Sequence, residues 1–179
     1  GTQYKFIVDK YKLYQLSTGD LLRKEIKNKT TLGLKISSII NSGELVSDQI
    51  VGNLIENFIS NSKYKNKIIF DGYPRTLNQA NNLDELLKKH DQKIDIVLKL
   101  SVSLETVKKR ILERKSQEKR ADDNEQIAIK RYKTYEKSSE LVIDYYKRSN
   151  LLKVINGEAS ISEINIEISD ILEVIKGWL

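Results

Sequence analysis

Short apolar runs recur along the chain, separated by longer stretches in which apolar residues return every three or four positions. Three runs, KIIFDG at 67–72, IDIVLKL at 94–100 and LLKVI at 151–155, are rich in Ile, Val and Leu and predict buried strands. The stretches 46–60, 77–89, 103–114, 123–148 and 161–176 carry helical spacing, several with Ser, Thr, Asp or Asn near the start as a cap. A further helix is expected directly after the opening Gly1-Thr2-Gln3. Strands alternating with helices predict an α/β fold, a parallel sheet with helices on both faces. Ligands bind beyond the carboxyl ends of the strands in such sheets, so the strand ends are where chemistry is sought.

Composition narrows this only a little. With 179 residues, 39% hydrophobic and 31% charged, eight glycines and one proline, the chain reads as a single domain able to bury a core. No apolar run approaches the ~20 residues that span a bilayer and no leader pattern opens the chain, so no membrane partner is expected and a cytoplasmic location is the default. Zero cysteines exclude disulfides and a thiolate zinc site, and His90 is the single histidine. The net charge of +6 is spread along the chain, with no basic run and no aromatic-rich strand on which bases would stack. Solvated helix faces account for it better than nucleic-acid binding does.

The kind of cation says more than the total. Lysines number 24 and arginines only seven: Arg23, Arg75, Arg110, Arg114, Arg120, Arg131 and Arg148. Arginine offers a planar, permanently charged fork that grips phosphate or carboxylate through two bonds, so a chain sparing with it keeps it where the fork matters.

Three clusters stand out. IIFDGYPRT ends the first apolar run with Asp71, whose carboxylate needs a cation, its hydration water or a backbone amide there. Gly72 lets a ligand approach the backbone, Pro74 fixes the turn and Arg75 offers a fork; taken alone, Asp71 reads as a turn or cap residue. STGDLLR at 17–23 is a helix start capped by Ser17 or Thr18, with Asp20 in its first turn and Arg23 a turn and a half on. In 108–132, Arg110 and Arg114 share a helix face, Arg120 precedes Asp122 and Asp123, and Arg131 lies in the next helix. A salt-bridged surface helix pair is the plain alternative for this cluster.

STGDLLR, GELV at 43–46, FDGYPRTLNQA at 70–80, RILER at 110–114, RADDNE at 120–125 and NG at 156–157 occur in the order and spacing of adenylate kinases. Nearly the whole chain resembles this nucleoside monophosphate kinase family. The resemblance implies a three-layer, P-loop NTPase-like α/β fold over 1–179, with a helical nucleotide-binding insertion at 17–46 and a short lid loop at 114–121. It implies that Arg23 and Arg75 bind the phosphate of AMP, that Thr18 and Gln79 face its adenine, and that Leu45, Val46 and Gly72 line the same site. Arg110, Arg120 and Arg131 would surround the transferring phosphoryl group and Arg114 would help hold ATP, with the donor adenine near Gly157. Asp71 and Asp20 would hold a hydrated Mg²⁺. The Tyr73–Pro74 bond is expected to be cis. Only KSQEK separates Arg114 from Arg120, a short lid without structural zinc. ATP, AMP and ADP are the implied partners, and a monomer is the family expectation.

The chemistry suits those residues. A phosphate oxygen is already anionic, so transfer needs positioning and charge neutralisation more than a strong base. A UMP/CMP kinase of the same fold is the near rival; Thr18 and Gln79 favour adenine by hydrogen bonding. Gly1-Thr2-Gln3 resembles the last three residues of the family's phosphate loop G-x-x-G-x-G-K-G-T-Q. The resemblance then places the loop's lysine immediately before Gly1, with Gly1 and Thr2 near the donor phosphates; a non-catalytic nucleotide-binding protein is the alternative if no such lysine exists. His90, Arg148 and Trp178 suggest nothing beyond packing or surface.

Overall fold

The computed structural model describes residues 2–118 and 125–176, without the side chains of 2, 114–118, 128 and 176. Helix α1 (Thr2–Tyr11) opens the chain, followed by β1 (Tyr14–Ser17). Helices α2 (Thr18–Lys27), α3 (Thr31–Asn41) and α4 (Asp48–Ile59) and a 3₁₀ turn at Ser62–Tyr64 lead to β2 (Ile68–Asp71). Helix α5 (Leu77–Lys89) leads to β3 (Val97–Ser101), and α6 (Leu104–Glu118) and α7 (Glu125–Arg148) lead to β4 (Leu152–Asn156). Helix α8 (Ile161–Lys176) follows.

Every strand pairing is parallel, as the alternation of elements predicts. Strands β1 and β2 pair with Tyr14 opposite Ile68 and Ser17 opposite Asp71. Strands β3 and β4 pair with Val97 opposite Leu152 and Ser101 opposite Asn156. Among the described residues the strands form these two ladders and not one continuous sheet.

Side chains alternate between the two faces of a strand, and the packing follows that period of two. Ile69 of β2 and Leu98 and Leu100 of β3 pack with Ile7 of α1 and Ile164 and Ile168 of α8. On the opposite face Ile68 and Phe70 join Leu16, Leu83 and the apolar sides of α2, α3 and α4. Val97 and Leu152 meet Ala80, Val142 and Tyr146 of α5 and α7. Helices on both faces make three layers. Strand β2 is half-buried throughout and β3 is half-buried up to its exposed last residue, Ser101. Strand β4, expected to be buried, buries Ile155 and leaves Lys153 and Val154 exposed at the margin of the packed helices.

Two departures from the sequence reading bear on the site. Ile94 lies before β3, packed among α5 and α7 residues, because the ladder with β4 starts only at Val97. Helix α6 continues through Glu118, past the expected loop start at Arg114, since KSQE contains no glycine or proline to stop it.

Candidate active site

Strand β2 ends in a sharp change of direction. Asp71 is its last residue, Gly72 takes the left-handed conformation with φ of 72°, and the Tyr73–Pro74 peptide is cis. Arg75 then turns back, its Nε donating to the Gly72 carbonyl at 2.7 Å. A Cβ on Gly72 would lie 2.7 Å from Arg75 Nη2, so glycine serves both the backbone conformation and the close approach of the guanidinium.

The start of α2 is stitched to this turn. Ser17 caps the helix, its hydroxyl accepting from the Asp20 N–H. The buried Thr18 hydroxyl donates to the Gly72 carbonyl at 3.2 Å. One turn further, Arg23 pairs with Asp20. Arg131 reaches in from α7, its Nη2 3.5 Å from the Ile40 carbonyl and its side chain lying over Gly43, which also has positive φ.

One cavity is thus lined by Arg23, Arg75 and Arg131, with Thr18, Leu45, Val46 and Gln79 among its other lining residues and Glu44, paired with Lys130, at its side. Three cations from three separate elements crowd together at an apolar wall. Arg75 keeps some surface open to solvent but is packed among protein atoms, and that desolvation, followed by the charge of Arg131, lowers its pKa; Asp71 and Tyr4 oppose the shift. An anion in the cavity would relieve this repulsion.

Gln79 is held on two sides. Its Oε1 accepts from the Arg75 N–H at 2.7 Å and its Nε2 donates to Asp48 Oδ1 at 2.7 Å. Asp71 has partners too: Gln15 Nε2 donates to its Oδ2 at 2.8 Å. Burial and the Asp71 charge push the Tyr4 phenol above its ordinary pKa, so Tyr4 faces this carboxylate as a neutral hydroxyl.

At the ends of β3 and β4, Arg110 Nη2 donates to the Gly157 carbonyl at 2.7 Å. The Gly157 N–H donates to Ser101 at 2.8 Å, and a Cβ there would lie 2.5 Å from Val102 Cγ1. Close packing of the strand end therefore already requires this glycine.

Of the residues singled out from sequence, Thr18, Arg23, Leu45, Val46, Gly72, Arg75, Gln79 and Arg131 come together around the cavity. Arg110 and Gly157 meet one another. Asp20 is paired with Arg23. Gly1 and Arg120 lie outside the described residues, as do the side chains of Thr2 and Arg114. Sequence reasoning missed Gln15, Tyr4 and Asp48. None of the three lies in a motif that the sequence singles out; Asp48 is in the first turn of α4.

The sequence model of one family, described as adenylate kinase, matches residues 1–151. An adenylate kinase of Pelagibacter ubique is 39% identical to the chain, the match covering 97% of this chain and 94% of that protein. Those of Leptospira biflexa and Fusobacterium nucleatum are 40% and 36% identical, over 92% and 96% of this chain and 88% and 92% of their own lengths.

The chain belongs to the adenylate kinase family. It is a phosphotransferase of the nucleotide phosphoryl-transfer type, with a P-loop NTPase-like α/β fold. No helix among the described residues is long and apolar enough to cross a membrane. Nor do the described residues contain a group of three or more His, Cys, Asp or Glu side chains placed to hold a metal ion.

Proposed function

We propose that this chain catalyses reversible transfer of the γ-phosphoryl group of ATP to AMP, giving two ADP. What carries the reading is the convergence of Arg23, Arg75 and Arg131 on one cavity that Leu45, Val46, Thr18 and Gln79 also line, with Glu44 as its one carboxylate among the described residues. Guanidinium forks suit a monophosphate, and the apolar and amide wall suits a base.

In that reading a phosphate oxygen of AMP attacks the γ-phosphorus, the bond from that phosphorus to the bridging β–γ oxygen breaks, and ADP leaves with the electron pair. The arginines orient the attacking phosphate and neutralise charge on the transferring group. Arg131, reaching the cavity from α7, bridges acceptor and phosphoryl group; Arg110, beside Gly157, serves the donor side with Arg114 and Arg120.

The donor chemistry of Asp71 fits a hydrated Mg²⁺. Its carboxylate offers hard oxygen acceptors at a strand end, and the Gln15 bond occupies only part of their capacity. Asp20 would share its carboxylate between Arg23 and the ion's water. A Mg²⁺ held there through water by Asp71 and Asp20 would supply positive charge against the donor phosphates.

Phosphorylation of AMP, CMP and UMP by ATP, compared in the presence of Mg²⁺, tests the assignment. AMP is expected to turn over fastest, with two ADP formed for each AMP consumed. Faster turnover of CMP or UMP would replace it with a pyrimidine monophosphate kinase.

A further inference from the structure

The amide of Gln79 has an oxygen end and a nitrogen end of nearly the same shape, and only its partners decide which way round it sits. Here both partners are unambiguous. The Arg75 backbone N–H can only donate, so it takes Oε1; the Asp48 carboxylate accepts, so it takes Nε2. Rotating the amide by a half-turn would set nitrogen against an N–H and oxygen against a carboxylate, at a residue only 3% exposed.

Asp48 is itself held. Its Oδ2 accepts from Asn78 Nδ2 at 2.9 Å and from the Thr76 hydroxyl at 3.3 Å, which leaves Oδ1 to Gln79. The Thr76 hydroxyl also accepts from the Gln79 N–H at 3.1 Å and caps α5. The start of α4 and the start of α5 are thereby joined through one carboxylate.

A primary amide has two N–H donors and two oxygen lone pairs. With one of each occupied, Gln79 retains one donor and one acceptor for a ligand in the cavity it lines. A base edge that presents a neighbouring acceptor and donor matches it: N1 and the 6-amino group of adenine. Hypoxanthine reverses that pattern, with N1–H a donor and O6 an acceptor, and would match only the rotated amide.

We propose that Asp48 is a positioning residue that fixes the Gln79 amide in one orientation, and so makes the pocket accept a 6-aminopurine monophosphate and reject its 6-oxo counterpart. The inference rests on the AMP reading of the cavity, and it adds the residue that sets the selectivity and the base that is refused.

Equilibrium binding of AMP, IMP, CMP and UMP to the wild type, Asp48→Ala and Asp48→Asn tests it. Loss of one charge-assisted hydrogen bond is expected to lower the preference for AMP over IMP on the order of tenfold in Asp48→Ala. Asp48→Asn, which keeps the side-chain shape, is expected to lower it by less. A ratio of dissociation constants is unaffected by a reduced folded fraction, so loss of the α4–α5 tie does not mimic the result. Wild type binding CMP or UMP more tightly than AMP removes the adenine reading and this inference with it. Adenine-selective wild type with an unchanged AMP-to-IMP ratio in both variants overturns the Asp48 assignment alone, and so does a wild type that binds IMP as well as AMP.

Discussion

Gln15 and Asp71, on neighbouring parallel strands, are joined by a 2.8 Å hydrogen bond from the Gln15 side-chain amide to Asp71 Oδ2. The register places Gln15 opposite Ile69, so Asp71 lies two residues on and shares its face of the sheet. A carboxylate at a strand end is thus oriented by a side chain 56 positions away in sequence.

If that orientation matters for a hydrated Mg²⁺, Gln15→Ala should raise the Mg²⁺ concentration for half-maximal turnover, by an amount on the order of tenfold. AMP binding without metal should stay as in the wild type. An unchanged Mg²⁺ dependence would show that Asp71 needs no such partner.

At Gly33, α3 packs directly against the backbone of α2. A Cβ there would lie 2.1 Å from the Glu25 carbonyl oxygen, and the backbone cannot give way without parting the two helices. Gly33→Ala is expected to cost about 3 kcal/mol by overpacking, against the small gain alanine brings to an exposed helix. Since α2 carries Arg23 and α3 the Ile40 carbonyl that Arg131 approaches, AMP affinity should fall with thermal stability. A melting temperature equal to the wild type would contradict the close contact.

Glu158 ties the start of α6 to the loop after β4, accepting from the Ser103 N–H at 2.6 Å and the Thr106 hydroxyl at 2.5 Å. The Thr106 hydroxyl first, then the Ser103 N–H, hold its carboxyl below its ordinary value of 4.5. A depressed pKa means that the native state favours the ionised form, so this stabilisation is present above pH ~4.5 and is lost as pH falls through the lower native value. Denaturant midpoints taken from pH 6 down to 3 should therefore fall more steeply in the wild type than in Glu158→Gln. Parallel slopes would remove Glu158 from the acid response.

Much of this was legible in the chain because the signals were local. The expected helices at 77–89 and 161–176 coincide with α5 and α8, the three apolar runs became β2, β3 and β4, and the Tyr73–Pro74 bond is cis. What escaped depended on distant partners. Strand β1 is YQLS, four residues with a single fully buried position, which becomes a strand by pairing with β2. Helix α3 went unremarked because its apolar residues do not keep to one face: Leu34 is exposed while Ile36 and Ile40 are core residues and Gly33 shares their buried face. The arginines were visible as a scarce residue type. That Arg23, Arg75 and Arg131 share a cavity while Arg110 turns to Gly157 is decided by helix packing across long stretches of chain. Gln15 acts through one hydrogen bond and Asp48 through three, all to residues that are themselves in a motif, and no spacing rule marks such a partner.

The dissociation constants of AMP and adenosine test most directly whether Arg23, Arg75 and Arg131 make this cavity a monophosphate site. Each charge-assisted phosphate contact is worth roughly 1.5–3 kcal/mol, so AMP should bind the wild type at least about a hundredfold more tightly than adenosine. Arg75→Ala should erase tenfold or more of that advantage and leave adenosine binding as it was. Equal affinity for AMP and adenosine in the wild type, or an equal loss of both in Arg75→Ala, would contradict it.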